Sequence, residues 1–145
     1  PVVQVSMPAS LDTRDAWQLG KTLKPLRDIN VLIVASGSLT HNLYEFRGAT
    51  THGAQYVKDF AAWTTKSLAS GNLDQLLDYK QYAPSAERAH PTDEHFLPLF
   101  IALGAAGESY ETRVVEGGVT HGVLAMDSYL FSTSGDERFA SAQTI

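Results

Sequence analysis

Five histidines and no cysteines define what metal or acid/base chemistry this chain can do. Thiolate catalysis, disulfides and zinc–cysteine sites are excluded together, so any metal must be held by His, Asp or Glu. Three of the five histidines lie in two short, unusual stretches. His41 ends the loop SGSLTH, which follows the apolar run INVLIVA. His90 and His95 flank the acidic turn PTDE in AHPTDEHFLPLFIALGAAG. Imidazole changes charge near neutral pH and, when neutral, is a good ligand for iron or zinc, so both stretches are candidates for proton transfer or metal binding.

The elements that must position these residues can be read from pattern. Residues 29–35 are short, apolar and β-branched, as in a strand covered on both faces, and residues 1–7 (PVVQVSM) read as another strand. Between them residues 12–28 carry Trp17, Leu19, Leu23 and Leu26 near helical spacing, interrupted by Gly20 and Pro25, so a right-handed β-α-β crossover is expected. Helices are expected over 54–69 and 73–79, with a polar connection at 84–90. An amphipathic helix, nearly all apolar and buried from Phe96 onward, is expected over 91–106 with Gly107 as its C-cap. Pro98 conflicts with a regular helix there: either the helix bends, or its α-turns begin nearer Pro98. Residues 113–116 and 119–131 read as closing strands around the Gly117-Gly118 turn, and 132–145 as a polar tail. The expected fold class is α/β, a mostly parallel or mixed sheet with helices on its faces. Because strand-like sequence starts with almost no lead-in at Pro1, the chain is expected to be part of a larger domain.

His41 then falls just past the carboxyl end of a strand, where ligands gather in open α/β sheets. Its alternatives are a solvent-facing loop histidine, or a Ser36-Gly37 turn whose backbone N–H groups form an anion nest. His95 falls near a helix entrance whose positive dipole end favours a neutral imidazole, as a metal requires; the alternative is that His90, Asp93, Glu94 and His95 are only a polar helix cap. His90 and His95, five apart, do not share a helix face.

Composition limits the partners. Asp+Glu number 16 against 11 Lys+Arg, a net charge of -5, without a basic cluster, so nucleic acid is not an expected partner. No apolar run is long enough to span a membrane, and the lack of cysteine fits a reducing cytoplasm.

VASGSLTHNL, AHPTDEHFLPLFIALGAAG and GVLAMDSYLF, in this order, resemble the C-terminal half of the class III extradiol ring-cleavage dioxygenases, the LigB-like superfamily, in its 4,5-DOPA dioxygenase branch. The likeness runs from about Val2 to Phe131, and residues 1–131 are expected to be the C-terminal portion of such a catalytic domain. It implies a catechol ring-opening enzyme that uses O2 beside a non-haem Fe(II), with Zn(II) as an alternative occupant. It places a metal ligand at His95 and an acid/base or second ligand at His41. His90, Asn42, Ser36 and Ser38 would sit behind them, with Tyr129 and Asp127 at the pocket mouth. The resemblance also exposes a gap. The family's other metal histidines lie in a His-Gly-Ser-Pro and a Ser-Ala-His segment of its first half, and neither segment occurs here. His52 and His121 lie in other contexts. A facial site needs three ligands, so the remaining wall is expected from an N-terminal half or a second copy. Two other classes stay open, a non-catalytic binding or regulatory member of the superfamily and a zinc-dependent hydrolase on the same scaffold.

Overall fold

The computed structural model describes residues 1–46, 48 and 52–133. Its helices are α1 (Thr13–Leu23), α2 (Pro25–Asp28), α3 (Gln55–Ala69), α4 (Leu73–Leu77), α5 (Tyr79–Tyr82), α6 (Ala86–Ala89) and α7 (Leu97–Ala106), with a single 3-10 turn at Leu43–Glu45. Four strands follow, β1 (Glu111–Val115), β2 (Val119–Thr120), β3 (Leu124–Ala125) and β4 (Ser128–Ser132).

Local chemistry explains most boundaries. Asp12 caps α1 by accepting from the Asp15 amide at 2.8 Å. Pro25, which lacks an amide donor, separates α1 from the short α2 instead of sitting inside one long helix. The expected helix over 91–106 resolves the Pro98 conflict by starting late. α7 begins at Leu97 with Pro98 in its first turn, where a missing N–H costs nothing, and Gly107 ends it at φ 89°. The expected polar connection at 84–90 contains α6, because Ala86 and Ala89 bury one side of a short turn of helix. Likewise, 73–79 is split at Asp78 into α4 and α5.

The chain is α/β, but the strands that pair do so antiparallel. β1 pairs with β4, Glu111 opposite Ser132 and Val115 opposite Ser128, while β2 and β3 form a separate small hairpin. The Gly117-Gly118 turn therefore does not join two paired neighbours. The hairpin turns instead at His121 and Gly122, both at positive φ (52° and 76°). Ser132 belongs to β4 rather than to the tail, and residues 134–145 lie outside the described residues. The two segments expected as parallel strands, 1–7 and 29–35, join no ladder among the described residues. A strand needs a neighbour for its backbone groups, and these two stand with apolar side chains in the open: Val2, Val3, Leu32 and Val34 are exposed.

The core is aromatic. Phe60 of α3, Tyr79 of α5 and Phe96 with Phe100 at α7 contact one another edge-on at centroid separations of 4.8–6.2 Å, closed by Leu68, Leu76 and Leu103. α1 lies directly against α7 at a glycine crossing. A Cβ on Gly20 would strike the Ile101 carbonyl, and one on Gly104 would strike the Trp17 carbonyl. The clash is with backbone, so no rotamer change relieves it. Gly20→Ala is therefore expected to destabilise the chain by about 1–3 kcal/mol despite its better helix propensity. Urea unfolding checks this, and an unchanged or raised midpoint would refute the close crossing.

Candidate functional site

The loop 36–42 is laid across the turn 89–96, and the joint is made of backbone. The Ser38 amide donates to the His95 carbonyl at 2.7 Å, and the His41 amide donates to the Ala89 carbonyl at 2.8 Å. Asn42 Nδ2 adds a bond to the Arg88 carbonyl at 2.8 Å, while its Oδ1 accepts from the Tyr44 amide. Gly37 permits the close approach, since the His95 carbonyl and the Pro98 ring fill the space a side chain would need. From the opposite side, fully buried Thr40 donates to the Val123 carbonyl and accepts from the Ala125 amide, both at 2.8 Å, tying the loop to the β2–β3 hairpin.

This joint brings the two candidate imidazoles together. The rings of His41 and His95 lie 3.7 Å apart, centroid to centroid, tilted by 55°. Burial and the neighbouring His95 lower the pKa of His41, with Glu94 opposing, which favours the neutral ring. Glu94 Oε1 lies 3.8 Å from His95 Nε2 and accepts from the Thr92 hydroxyl at 3.0 Å. Its carboxyl is held below the usual range by hydrogen bonding and by the two imidazoles. Asp93, paired with Lys80 at 2.7 Å, is held low as well. His95 itself stands before α7, on a turn in which the Asp93 carbonyl accepts from the Phe96 and Leu97 amides.

His90 takes a different place. It is 3% exposed, stacked on Phe96 at 4.7 Å and set against Phe60 at 5.1 Å. Its Nε2 lies 3.4 Å from the Ser38 carbonyl, a long contact; because a carbonyl only accepts, Nε2 carries the proton. Its Nδ1 is buried without a partner among the described residues. Burial pushes the pKa of His90 down to about 4. His90 thus supports the joint from the core side and does not meet the His41–His95 pair through a ring contact.

The other expected residues are more scattered. Ser36 is exposed, and the hydroxyl that knits the loop is that of Ser38, bonded to the Thr40 carbonyl at 2.8 Å. Tyr129 on β4 shares a hydrogen bond of 3.0 Å with Thr65 of α3, and Asp127 accepts from the Gly117 and Gly118 amides. Both line, with His95, an open groove of about 720 Å³. His121 lies elsewhere, stacked on Phe46 at 4.4 Å with its Nδ1 donating to the Gly48 carbonyl. No group of three or more His, Asp or Glu among the described residues is arranged to hold a metal ion. The pair therefore fits iron or zinc in donor type and supplies fewer ligands than a complete facial site. Thr40, and the bidentate Glu45–Arg88 pair (2.7 and 2.9 Å) beside Asn42, carry no motif that marks them in the sequence.

Two adjacent imidazoles thus stand where the loop after the apolar run 29–35 meets the entrance of α7 in an α/β chain. The family described as the catalytic LigB subunit of aromatic ring-opening dioxygenase matches residues 1–131, and the chain belongs to it. Among its relatives are the 4,5-DOPA dioxygenase extradiol of Beta vulgaris, 34% identical over 92% of this chain, and that of Escherichia coli K12, 33% identical over 87%. The chain spans about half the length of these relatives, 50% and 48%. A crystal structure of an uncharacterized Escherichia coli K12 protein superposes with a TM-score of 0.75 at 26% identity, covering 86% of this chain and 52% of that one. No helix among the described residues is long and apolar enough to cross a membrane.

The depressed pKa of His90 has a consequence for stability. Unfolded, the residue binds a proton near pH 6.5; folded, only near 4, so the unfolded state gains protons first as pH falls. Stability contributed by neutral His90 is complete above pH 6.5 and declines through the window from 6.5 to 4, by about 3 kcal/mol in total. His90→Phe, which keeps the stacked ring, is expected to flatten urea-midpoint profiles across that window. An unchanged slope would contradict the assignment.

Proposed function

We propose that this chain contributes His41 and His95 to the non-haem metal centre of an extradiol dioxygenase that opens a catechol ring with O2. The observation that carries the reading is the 3.7 Å approach of two imidazoles fixed by backbone on two loops, in a chain of the LigB family. The relatives' name supports a dihydroxyphenylalanine-type catechol as the substrate class.

Fe(II), when bound, supplies the point at which catechol and O2 meet, and Zn(II) is a chemically acceptable occupant of the same donors. What the chain's own residues do follows from their state. His95, fixed through its own carbonyl to Ser38, is the ligand. The lowered pKa of His41 favours its neutral ring, which can accept a catechol hydroxyl proton and later return it, or donate its lone pair to the metal. Glu94 and Asp93 hold negative charge at the entrance and favour a cation over an anion there. The apolar groove beside His95, with Tyr129 and Asp127 on its β4 side, offers a wall for an aromatic ring. The remaining ligand comes from polypeptide of the kind the relatives carry beyond the matched half.

In the protein carrying this chain, His95→Ala is expected to lower iron content and kcat together, by about 10²-fold or more in kcat. His41→Ala is expected to lower kcat by about 10²–10⁴-fold. Retained iron in His41→Ala marks an acid/base, and lost iron marks a ligand. Oxygen uptake with a catechol, alongside metal analysis, measures both. Normal turnover in both variants would refute the site. Absence of ring opening by the unaltered protein with Fe(II) would favour a binding or regulatory member of the family, and activity with zinc but without oxygen would favour a hydrolase.

A further inference from the structure

His41 is anchored on its N-terminal side through Ser38 and Thr40, and a second set of bonds holds the chain that leaves it. At the end of α6 two successive carbonyls accept from two successive residues, Ala89 from the His41 amide and Arg88 from Asn42 Nδ2, both at 2.8 Å. Asn42 Nδ2 also reaches Glu45 Oε1 at 3.3 Å, and its Oδ1 caps the 3-10 turn at the Tyr44 amide. The Arg88 side chain closes the ring from the other side. Its Nε and Nη2 donate to the two oxygens of Glu45, and its guanidinium carbon lies 4.2 Å from the centre of the Tyr56 ring. Tyr56 is 6% exposed, so the stack rests on a fixed base in α3.

The bond from the His41 amide fixes the peptide plane before the residue. It leaves rotation about the N–Cα bond, which carries Cβ and the following chain together. Anchoring Asn42 and Glu45 removes that rotation, and the imidazole then leaves the main chain in one direction. A surface ion pair ordinarily contributes little, because two long side chains must give up rotamer freedom in water. Arg88 differs by shape. A planar fork stacked on an aromatic face is ordered before it meets the carboxylate, and a two-point bond fixes the carboxylate's direction as well as its distance. We propose that Arg88 is a positioning residue for His41: through Glu45 and Asn42 it holds the 41–45 turn on α6 and sets the direction from which the His41 imidazole meets His95. This role does not depend on the reaction; its effect on turnover rests on the dioxygenase reading of His41.

Amide exchange and imidazole nitrogen NMR on the metal-free full chain test the role without turnover. Arg88→Gln and Glu45→Gln are each expected to speed exchange of the His41 amide by about tenfold and to shift the His41 ring signals, while amides of α7 stay within about twofold. Arg88→Lys keeps the charge but loses the fork and the stack, so it is expected to behave like Arg88→Gln. Because Arg88 acts through Glu45, the double variant is expected to match the single ones instead of multiplying them. Arg14→Gln, which breaks the pair between α1 and Asp78 (Nη2 to both carboxylate oxygens at 3.0 and 2.9 Å), is expected to leave His41 within about twofold. In the metal-loaded protein carrying this chain, Arg88→Gln is expected to lower kcat by about tenfold with KM within about twofold. Unchanged His41 exchange in Arg88→Gln, equal loosening of α7, full rescue by Arg88→Lys or multiplying effects in the double variant would each overturn the proposal, whatever the turnover. Faster His41 exchange with unaltered turnover upholds the positioning and counts against the catalytic reading of His41.

Discussion

The site depends on one joint, the backbone of Ser38 and His41 hydrogen-bonded to the carbonyls of His95 and Ala89. These bonds place the two loops by main chain, so the histidine side chains start from fixed Cα positions and lose little further freedom on meeting. Each bond is worth only about 1 kcal/mol net, but they are shielded on both sides. Thr40 pins the loop to the β2–β3 hairpin, and His90 with Phe96 supports it from the aromatic core. Gly37 is the steric condition for the joint, because a side chain there would meet the His95 carbonyl.

Burial then decides protonation. His41 and His90 are both pushed toward the neutral form, and the two play opposite parts. His90 is enclosed among Phe60, Tyr79 and Phe96 and spends its one N–H on the Ser38 carbonyl, so its neutrality serves packing. His41 keeps its neutral ring beside His95, next to carboxylates that stay ionised, so its neutrality leaves a lone pair for a proton or a cation. The same residue type thus does structural and chemical work within one joint, separated by whether the ring faces the core or the entrance.

Much of this was legible from residues alone, for identifiable reasons. His41 stood out because it follows a sharp change from apolar to polar sequence, and His95 because it directly precedes one from polar to apolar; the two do come together. α3 and α7 follow from apolar spacing, while Pro98 left a bend and a late start of α7 both open, and the helix takes the late start. What was not legible depends on long-range pairing. The pairing of β1 with β4 instead of β2 brings together segments that sequence separates, and no turn residue marks it. Residues 1–7 and 29–35 have strand composition, but a ladder requires a neighbour, and none of the described residues provides one. Thr40 and the Glu45–Arg88 pair matter through contacts across 43–85 positions, which no local pattern encodes. Ser36 and Ser38 are indistinguishable in sequence, and only the fold shows that the second one enters the hydrogen-bond network.

The central claim is that His41 and His95 form one site because a single backbone joint holds them. Titrating the chain with Zn(II) while following the imidazole nitrogen signals by NMR tests it most directly. The account predicts that the His41 and His95 signals move together and saturate at one ion per chain, that changing either to alanine weakens the zinc response of the other, and that His90 stays unmoved. Independent titration of the two residues, or movement of His90 with either of them, would contradict it.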